Sequence, residues 1–344
     1  MHRICSSLQQ HGYQVALVGR IMNDSKPLRD LPYAQKRLRC FFNKGKLFYA
    51  EYNIRLFFYL LFTSSNALCS IDLDTLAPGF LVSKLKGWKL VYDAHEYFTQ
   101  VPEVIHRPHI QAFWEWLEVL LVPRIKNAYT VNKSIAALFE GKYKTHFDVI
   151  YNAPRLDETP LENNFSKRIL LYQGALNASR GLEQLINIMP KLDAVLWLIG
   201  EGDLSEMLRK KVTEANLEEK VLFKGMISPS ELANFTRQAT LGINVSENAG
   251  LSYYYSLNNK FFDYIHAALP SIINDFPEYK AMNKSLNVGV LTNCDEESML
   301  NAINKLLNDE VLYQNLKQNC VIAANIYCWQ KEERKLLEFY ARLR

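Results

Sequence analysis

A chain of 344 residues is long enough for two domains of ordinary size. Hydrophobic residues make up 49% of it and charged residues 22%, which excludes a disordered chain and points to sizeable cores. A formal net charge of +4, with no RNA- or DNA-binding motif, gives no basis for a nucleic-acid partner.

The opening HRICSSLQQHG reads as a helix closed by Gly12, and YQVALVG as a strand directly after it. An α/β domain normally begins with a strand and a ligand-facing loop. The N-terminal domain is therefore expected to lack its first strand, unless the natural start lies upstream. A basic stretch follows, with Arg20, Lys26, Arg29, Lys36, Arg37, Arg39, Lys44, Lys46 and Arg55 set against Asp24, Asp30 and Glu51. Phe41, Phe42, Phe48, Phe57 and Phe58 are interleaved with it. Residues 33 to 62 read as a helical region whose basic face is either solvated or adsorbed to an anionic membrane. The longest apolar run, Leu56 to Phe62, is far short of the roughly 20 residues a spanning helix needs. No signal-peptide pattern is present, so a cytoplasmic protein, free or peripheral on the inner face of the cell membrane, is expected.

Next come a short buried strand ALCSID, a helix TLAPGFLVSKLKG and a strand WKLVYDAHE. HIQAFWEWLEVLLVPRI has helical spacing, NAYTVN is a strand, KSIAALFEGKY a helix and FDVIYNAP a strand. RLDETPLENNFSK, with Pro160, is the best linker. The alternation then restarts with strands at RILLYQGA, AVLWLIGEG, KVLFKG, LGINVSE and PSIIND and helices between them, and it closes on three helices. Alternation of this kind signals parallel sheets covered on both faces. The expected fold is α/β, with two Rossmann-like doubly wound domains facing across a ligand-binding cleft. Residues 1–155 form the first, 156–167 the linker, 168–326 the second, and 327–344 a closing helix. The scattered Cys5, Cys40, Cys69, Cys294, Cys320 and Cys328 form no C-x-x-C pair and have no His cluster beside them, which suits a reducing compartment better than zinc or disulfides.

Four segments of the second half carry chemical signals. In YQGALNASRGLEQLI a strand ends at Gly174, and Arg180 precedes a helix N-terminus, an arrangement that favours a diphosphate. An ordinary strand–loop–helix connection with a surface Arg explains the same residues. In IGEGDL, Gly200 and Gly202 sit at a strand end, a weak signal alone. In FKGMISPSEL, backbone near Met226 and Ile227 could pair with a nucleobase edge, although a turn capped by Ser228 or Ser230 suffices. In ENAGLSYYYSLNNKFFDYIHAALPSI, Lys260 lies in a helix's first turn, where acidic residues are the rule. A cation there is unfavourable unless an anion such as a donor diphosphate sits between, and Asp263 is one turn on, placed for ribose hydroxyls.

In the first half, VYDAHEYF puts Asp93, His95 and Glu96 at a strand end. Asp72 and Asp74 in SIDLDTL end another, and three roles are open: a metal-bound diphosphate, a helix cap or an acceptor-side contact. Acceptor-side or structural roles are favoured over metal.

These segments, in this order and spacing, resemble family 4 glycosyltransferases of the GT-B fold, often called group 1. HGYQVALVGR, DLDTL, YDAHEYF and AYTVNKSIA look like the N-terminal half of a bacterial subset. The resemblance covers almost the whole chain. It implies a hexosyl or other glycosyltransferase of polysaccharide biosynthesis that works with retention, uses no cofactor and no essential metal, and takes a UDP- or GDP-sugar as donor. The acceptor would be a glycan or a lipid-linked molecule. Arg180 matches a phosphate-binding residue, while the usual Arg after the Gly is Ala175 here. Lys260 is a plausible substitute. Asp263 stands where the second Glu of an E-x7-E motif resembles a ribose contact, and Tyr255 stands eight residues earlier in place of the first. Glu247, before Gly250, Leu251 and Ser252, resembles that first Glu with a longer spacer, and Asn259 begins the helix. His95 matches a His near the transferred sugar. The final helix resembles one that crosses back to the N-terminal domain. Related chains begin with a strand and a glycine-bearing loop that this chain lacks. Three rivals are a GT-B sugar-nucleotide epimerase, a metal-dependent transferase using Asp72 and Asp74, and a catalytically inactive partner subunit.

Overall fold

The computed structural model describes residues 1–22, 25, 27–157 and 165–343. Asp24, Lys26 and most of the expected linker lie outside the described residues, as does the Ser230 side chain. The chain divides into two compact units, residues 1–150 with 332–344, and residues 151–331.

Unit 1 opens with α1 (His2–Gln10), β1 (Ala16–Ile21), β2 (Ala34–Arg39), α2 (Gly45–Leu61), β3 (Ala67–Ile71), α3 (Leu73–Lys86) and β4 (Lys89–Ala94). It continues through α4 (Pro102–Ile105), α5 (Pro108–Leu121), β5 (Asn127–Thr130), α6 (Lys133–Tyr143) and β6 (Asp148–Val149). Strands β3-β4-β5-β6 form one parallel sheet, and β1-β2 form a separate parallel pair. The helical region expected from residue 33 is therefore corrected: Ala34–Arg39 is a strand in register with Ala16–Ile21. Gln, Lys, Arg and Leu are good helix formers, but the backbone partner offered by β1 outweighs that weak preference. Only Gly45–Leu61 keeps the helix, burying Phe48, Tyr52, Leu56 and Leu60 against Val82 of α3.

Unit 2 contains β7 (Ile169–Gln173), α7 (Leu182–Ile188), β8 (Val195–Ile199), α8 (Ser205–Glu214), β9 (Val221–Gly225), α9 (Pro229–Gln238) and β10 (Leu241–Asn244). Then follow α10 (Leu251–Tyr254), α11 (Asn259–His266), β11 (Ser271–Asn274), α12 (Pro277–Leu286), β12 (Gly289–Thr292), α13 (Glu296–Asn308), α14 (Glu310–Ile326) and α15 (Trp329–Ala341). The α12–β12 pair was not anticipated, because Gly289–Thr292 is four residues long and has no alternation to read. All six strands are parallel in the order β12-β11-β10-β7-β8-β9. Leu170, Leu171, Leu241, Ile243, Ile272 and Ile273 are fully buried, as in a sheet covered on both faces. The chain runs outward from β7 to β9 and returns beside β7 as β10. The topological switch point, where such sheets bind ligands, therefore lies between the carboxyl ends of β7 and β10.

Residues from Glu332 of α15 belong to unit 1. There Phe339 meets Tyr129 edge-on at 5.1 Å, and Arg342 pairs with Asp148 at 2.7 Å.

Candidate functional site

At the end of β7 a cavity of about 250 Å³ is lined by Tyr172, Gln173, Gly174, Ala175, Arg180, Leu232, Asn258, Asn259, Lys260 and Asp263. Five of the expected donor residues, Gly174, Arg180, Asn259, Lys260 and Asp263, thus meet in one place. A larger hollow of about 620 Å³ runs from Asp275 to Lys305, but there Lys280 is already paired with Asp275 at 2.9 Å.

Two basic side chains, Lys260 and Arg180, line the smaller cavity. Lys260 is 8% exposed, at the start of α11, with its Nζ 4.0 Å from the centre of the Tyr172 ring. The Arg180 guanidinium stands 4.5 Å from the centre of the Tyr253 ring. Neither has a carboxylate partner among the described residues. Aromatic faces attract cations without neutralising them. Burial, and then the nearby Arg180, push the Lys260 ammonium well below the ordinary lysine value, with Cys294 opposing slightly. Helix α11 has no side-chain cap and no acidic residue in its first turn, so its amide dipoles add to the same positive potential. The Asn258 Oδ1 is buried there without a partner.

Asp263, one turn into α11, accepts a hydrogen bond from Gln173 Nε2 at 2.9 Å, and Gln173 Oε1 in turn accepts from Thr236 at 2.8 Å. This relay from α9 through β7 orients the carboxylate. Gln173, Thr236, Tyr172 and Tyr253 were missed in sequence, although Tyr172 and Gln173 directly precede Gly174.

The loop from Gly174 to Gly181 is built from behind. Gly174 N–H bonds to Ile199 O at 2.9 Å, and Gly200 has φ +131°. A Cβ on Gly200 would lie 2.0 Å from Gly174 O, and one on Gly202 would lie 2.2 Å from Asn177 Oδ1. Gly200 and Gly202 therefore buttress the Gly174 loop and do not line the cavity. Ser179, just before Arg180, has φ +62°, which places a strained residue beside the cation. Its carbonyl accepts from Glu247 N at 3.0 Å, and Glu247 Oε1 accepts from Gln184 at 2.9 Å. Glu247 thus borders the Arg180 loop but does not line the cavity. Nor do Gly250 (φ +120°), the half-exposed Leu251 or the buried Ser252. Met226 is exposed, while Ile227 packs on the Tyr264 cluster, and Ser228 forms a reciprocal cap with Glu231.

Unit 1 holds a second polar cluster. Asp93, at the end of β4, is wholly buried; its Oδ2 accepts from Tyr129 at 2.9 Å and meets His95 Nε2 at 3.1 Å, and its Oδ1 has no partner. Asp72 accepts from His95 N at 2.8 Å. Burial drives Asp72 up to about 8, against the opposing His95 charge, and drives Asp74 up to about 6. For His95 burial pulls down, but the Asp93 hydrogen bond and charge, with Asp72, hold it above the ordinary histidine value. Glu96 is half-buried beside them.

The family model described as glycosyl transferases group 1 matches residues 157–321, a span that contains the cavity and both cations. Over that span the chain is similar to the group 1 glycosyl transferases. The chain is similar in structure to sucrose-phosphate synthase from Thermosynechococcus elongatus, at 16% identity and a TM-score of 0.77, covering 99% of this chain and 92% of that one. Anabaena HepE in complex with UDP matches at 15% identity and 0.70, over 90% and 87% of the two chains. WaaG, a glycosyltransferase involved in lipopolysaccharide biosynthesis, matches at 15% and 0.69, over 97% and 93%. The fold is GT-B. No curated protein matches the chain in sequence.

Proposed function

We propose that this transferase moves a sugar from a nucleoside diphosphate sugar, UDP- or GDP-linked, to a glycan or lipid-linked acceptor, with retention and without an essential metal. What carries this reading is the buried Lys260 beside Arg180, neither with a carboxylate partner among the described residues, at the switch point of a parallel sheet. Burial disfavours the Lys260 ammonium in the free protein, and a diphosphate arriving beside it and Arg180 restores the charged form and pairs both groups. As the bond to the sugar breaks, negative charge grows on the departing diphosphate. Fixed cations and the α11 amides stabilise that charge without reorganising, which is the largest catalytic lever an enzyme of this kind has. Asp263, held by Gln173, accepts from ribose hydroxyls. Backbone near Met226 and Ile227 reads the base.

His95, held by Asp93, contacts the transferred sugar or the acceptor, and Asp72, Asp74 and Glu96 serve the acceptor side. Glu247, Gly250, Leu251 and Ser252 shape the sugar end of the donor site. Retention rests on the resemblance to the family.

A thermal-shift panel of nucleotide sugars tests the reading, because a ligand that binds only the folded state raises its stability. A UDP- or GDP-sugar is expected to raise Tm, and Arg180→Ala to weaken that donor about tenfold or more, the scale of a lost charge-assisted hydrogen bond. Donor binding that ignores Arg180→Ala and Lys260→Met overturns the assignment.

A further inference from the structure

We infer that Tyr253 is a positioning residue of the donor cavity: its ring holds the Arg180 guanidinium where a diphosphate meets it. The inference deepens the donor reading and rests on it.

Tyr253, Tyr254 and Tyr255 follow one another in the connection between β10 and α11. Over the single turn of α10 successive side chains point about 100° apart, so neighbours face different partners. The Tyr254 ring turns to Phe276, 5.2 Å away and just before α12, and Tyr255 lies edge-on to Tyr254 at 5.0 Å. These contacts anchor the turn. Tyr253 reaches instead to the connection between β7 and α7, where the Arg180 guanidinium lies 4.5 Å from its ring centre. The Tyr253 backbone is tied at both ends: its N–H donates to Gly250 O at 3.1 Å, and its carbonyl accepts from Ser256 Oγ at 2.8 Å.

Arg180 needs such a seat. Among the described residues its side chain has no hydrogen bond and no ion pair. It stands beside Lys260, and like charges repel. It follows Ser179, whose strained φ of +62° is held by the Glu247 N–H donating to the Ser179 carbonyl at 3.0 Å. A long, half-buried arginine without a seat samples many rotamers, and ordering it when a ligand arrives subtracts from affinity. The ring orders it beforehand. A carboxylate would hold the guanidinium more firmly, but a diphosphate would then have to displace it. An aromatic face attracts the charge without taking up its N–H donors, which remain for phosphate oxygens. The stretch from Gly250 to Lys260 thus supplies one cation of the cavity and the seat of the other.

The test is calorimetric titration of the full chain with UDP, GDP and inorganic pyrophosphate. Tyr253→Leu keeps apolar bulk and loses the aromatic face, and should weaken all three about 3- to 30-fold, the range of a cation–π contact. Tyr253→Phe restores the face and should return affinity to within about twofold of the parent. In an Arg180→Ala background Tyr253→Leu should change nothing further, because the ring acts only through Arg180. Increasingly fluorinated phenylalanines at position 253 keep the packing of α10 and drain the negative face of the ring, so affinity should fall stepwise along the series. A Tyr253→Leu variant that folds and binds as the parent does overturns the inference. So does a loss that persists undiminished without Arg180, or a fluorinated series of constant affinity. In each of those cases ligand binding by the parent leaves the donor reading standing. A parent that binds none of the three ligands overturns the donor reading itself, and this inference with it.

Discussion

Replacing Lys260 by Met removes the buried ammonium and keeps most of the apolar stem that packs on Tyr172. In the ligand-free protein an uncompensated buried charge opposes folding, so Lys260→Met is expected to leave Tm unchanged or raise it. In the complex it deletes a charge-assisted contact worth about 1.5–3 kcal/mol, or roughly 10- to 150-fold in Kd. If UDP is supplied at about 100 times the parent Kd, it stabilises the parent by about 2.7 kcal/mol. A thirtyfold weaker variant at the same concentration keeps about 0.9 kcal/mol. For a domain of this size that reduces a Tm shift of about 5–10 °C to about 2–3 °C.

Proton linkage gives a second readout. The free protein holds the Lys260 pKa below its ordinary value, so the fold favours the neutral amine. That penalty is present below the depressed folded value and fades as pH rises from it toward the unfolded value. A bound diphosphate favours the ammonium, so binding takes up a proton between the free and bound pKa values, and affinity rises as pH falls through that window. Lys260→Met should erase this slope in calorimetric titrations run in buffers of different ionisation enthalpy. A variant that melts earlier without ligand, yet keeps the full UDP-induced shift and the same proton uptake, refutes the reasoning.

Asp263→Asn is expected to weaken UDP severalfold and leave inorganic pyrophosphate binding unchanged if, as proposed, the carboxylate accepts from ribose hydroxyls; calorimetry against both ligands checks it. Gly200→Ala forces a Cβ into Gly174 O at 2.0 Å, and an overpacking cost of about 1–3 kcal/mol should lower the melting temperature of unit 2 by about 3–10 °C. Asp93→Asn removes the partner that keeps His95 above its ordinary pKa. The His95 charge contributes stability below the unfolded value of about 6.5, and this is lost as pH rises through the raised folded value. The variant should therefore lose more stability on the acid side than at alkaline pH, with the His95 NMR titration moved to lower pH.

The strand–helix alternation was legible along nearly the whole chain because each buried strand is a compact apolar run and each helix repeats its apolar positions at helical spacing. The two cations were legible as well: Arg180 stands before a helix, and Lys260 breaks the charge rule at a helix start. Those features are local, so neighbouring residues suffice to reveal them. Ala34–Arg39 was misjudged because its strand character comes from β1, and α12–β12 went unseen because a four-residue strand has no period of its own.

Local patterns along the chain are enough to show that two parallel α/β units follow each other and that basic residues stand near strand ends in the second half. The surroundings of those residues come from folding. The crossing from β9 back to β10 brings α11 against β7, which buries Lys260 on Tyr172 and ties Asp263 to Gln173 across ninety residues of chain. Non-sequential strand order makes neighbours of residues that no local pattern connects, and burial gives an ordinary lysine a depressed pKa beside Arg180 with no carboxylate partner among the described residues.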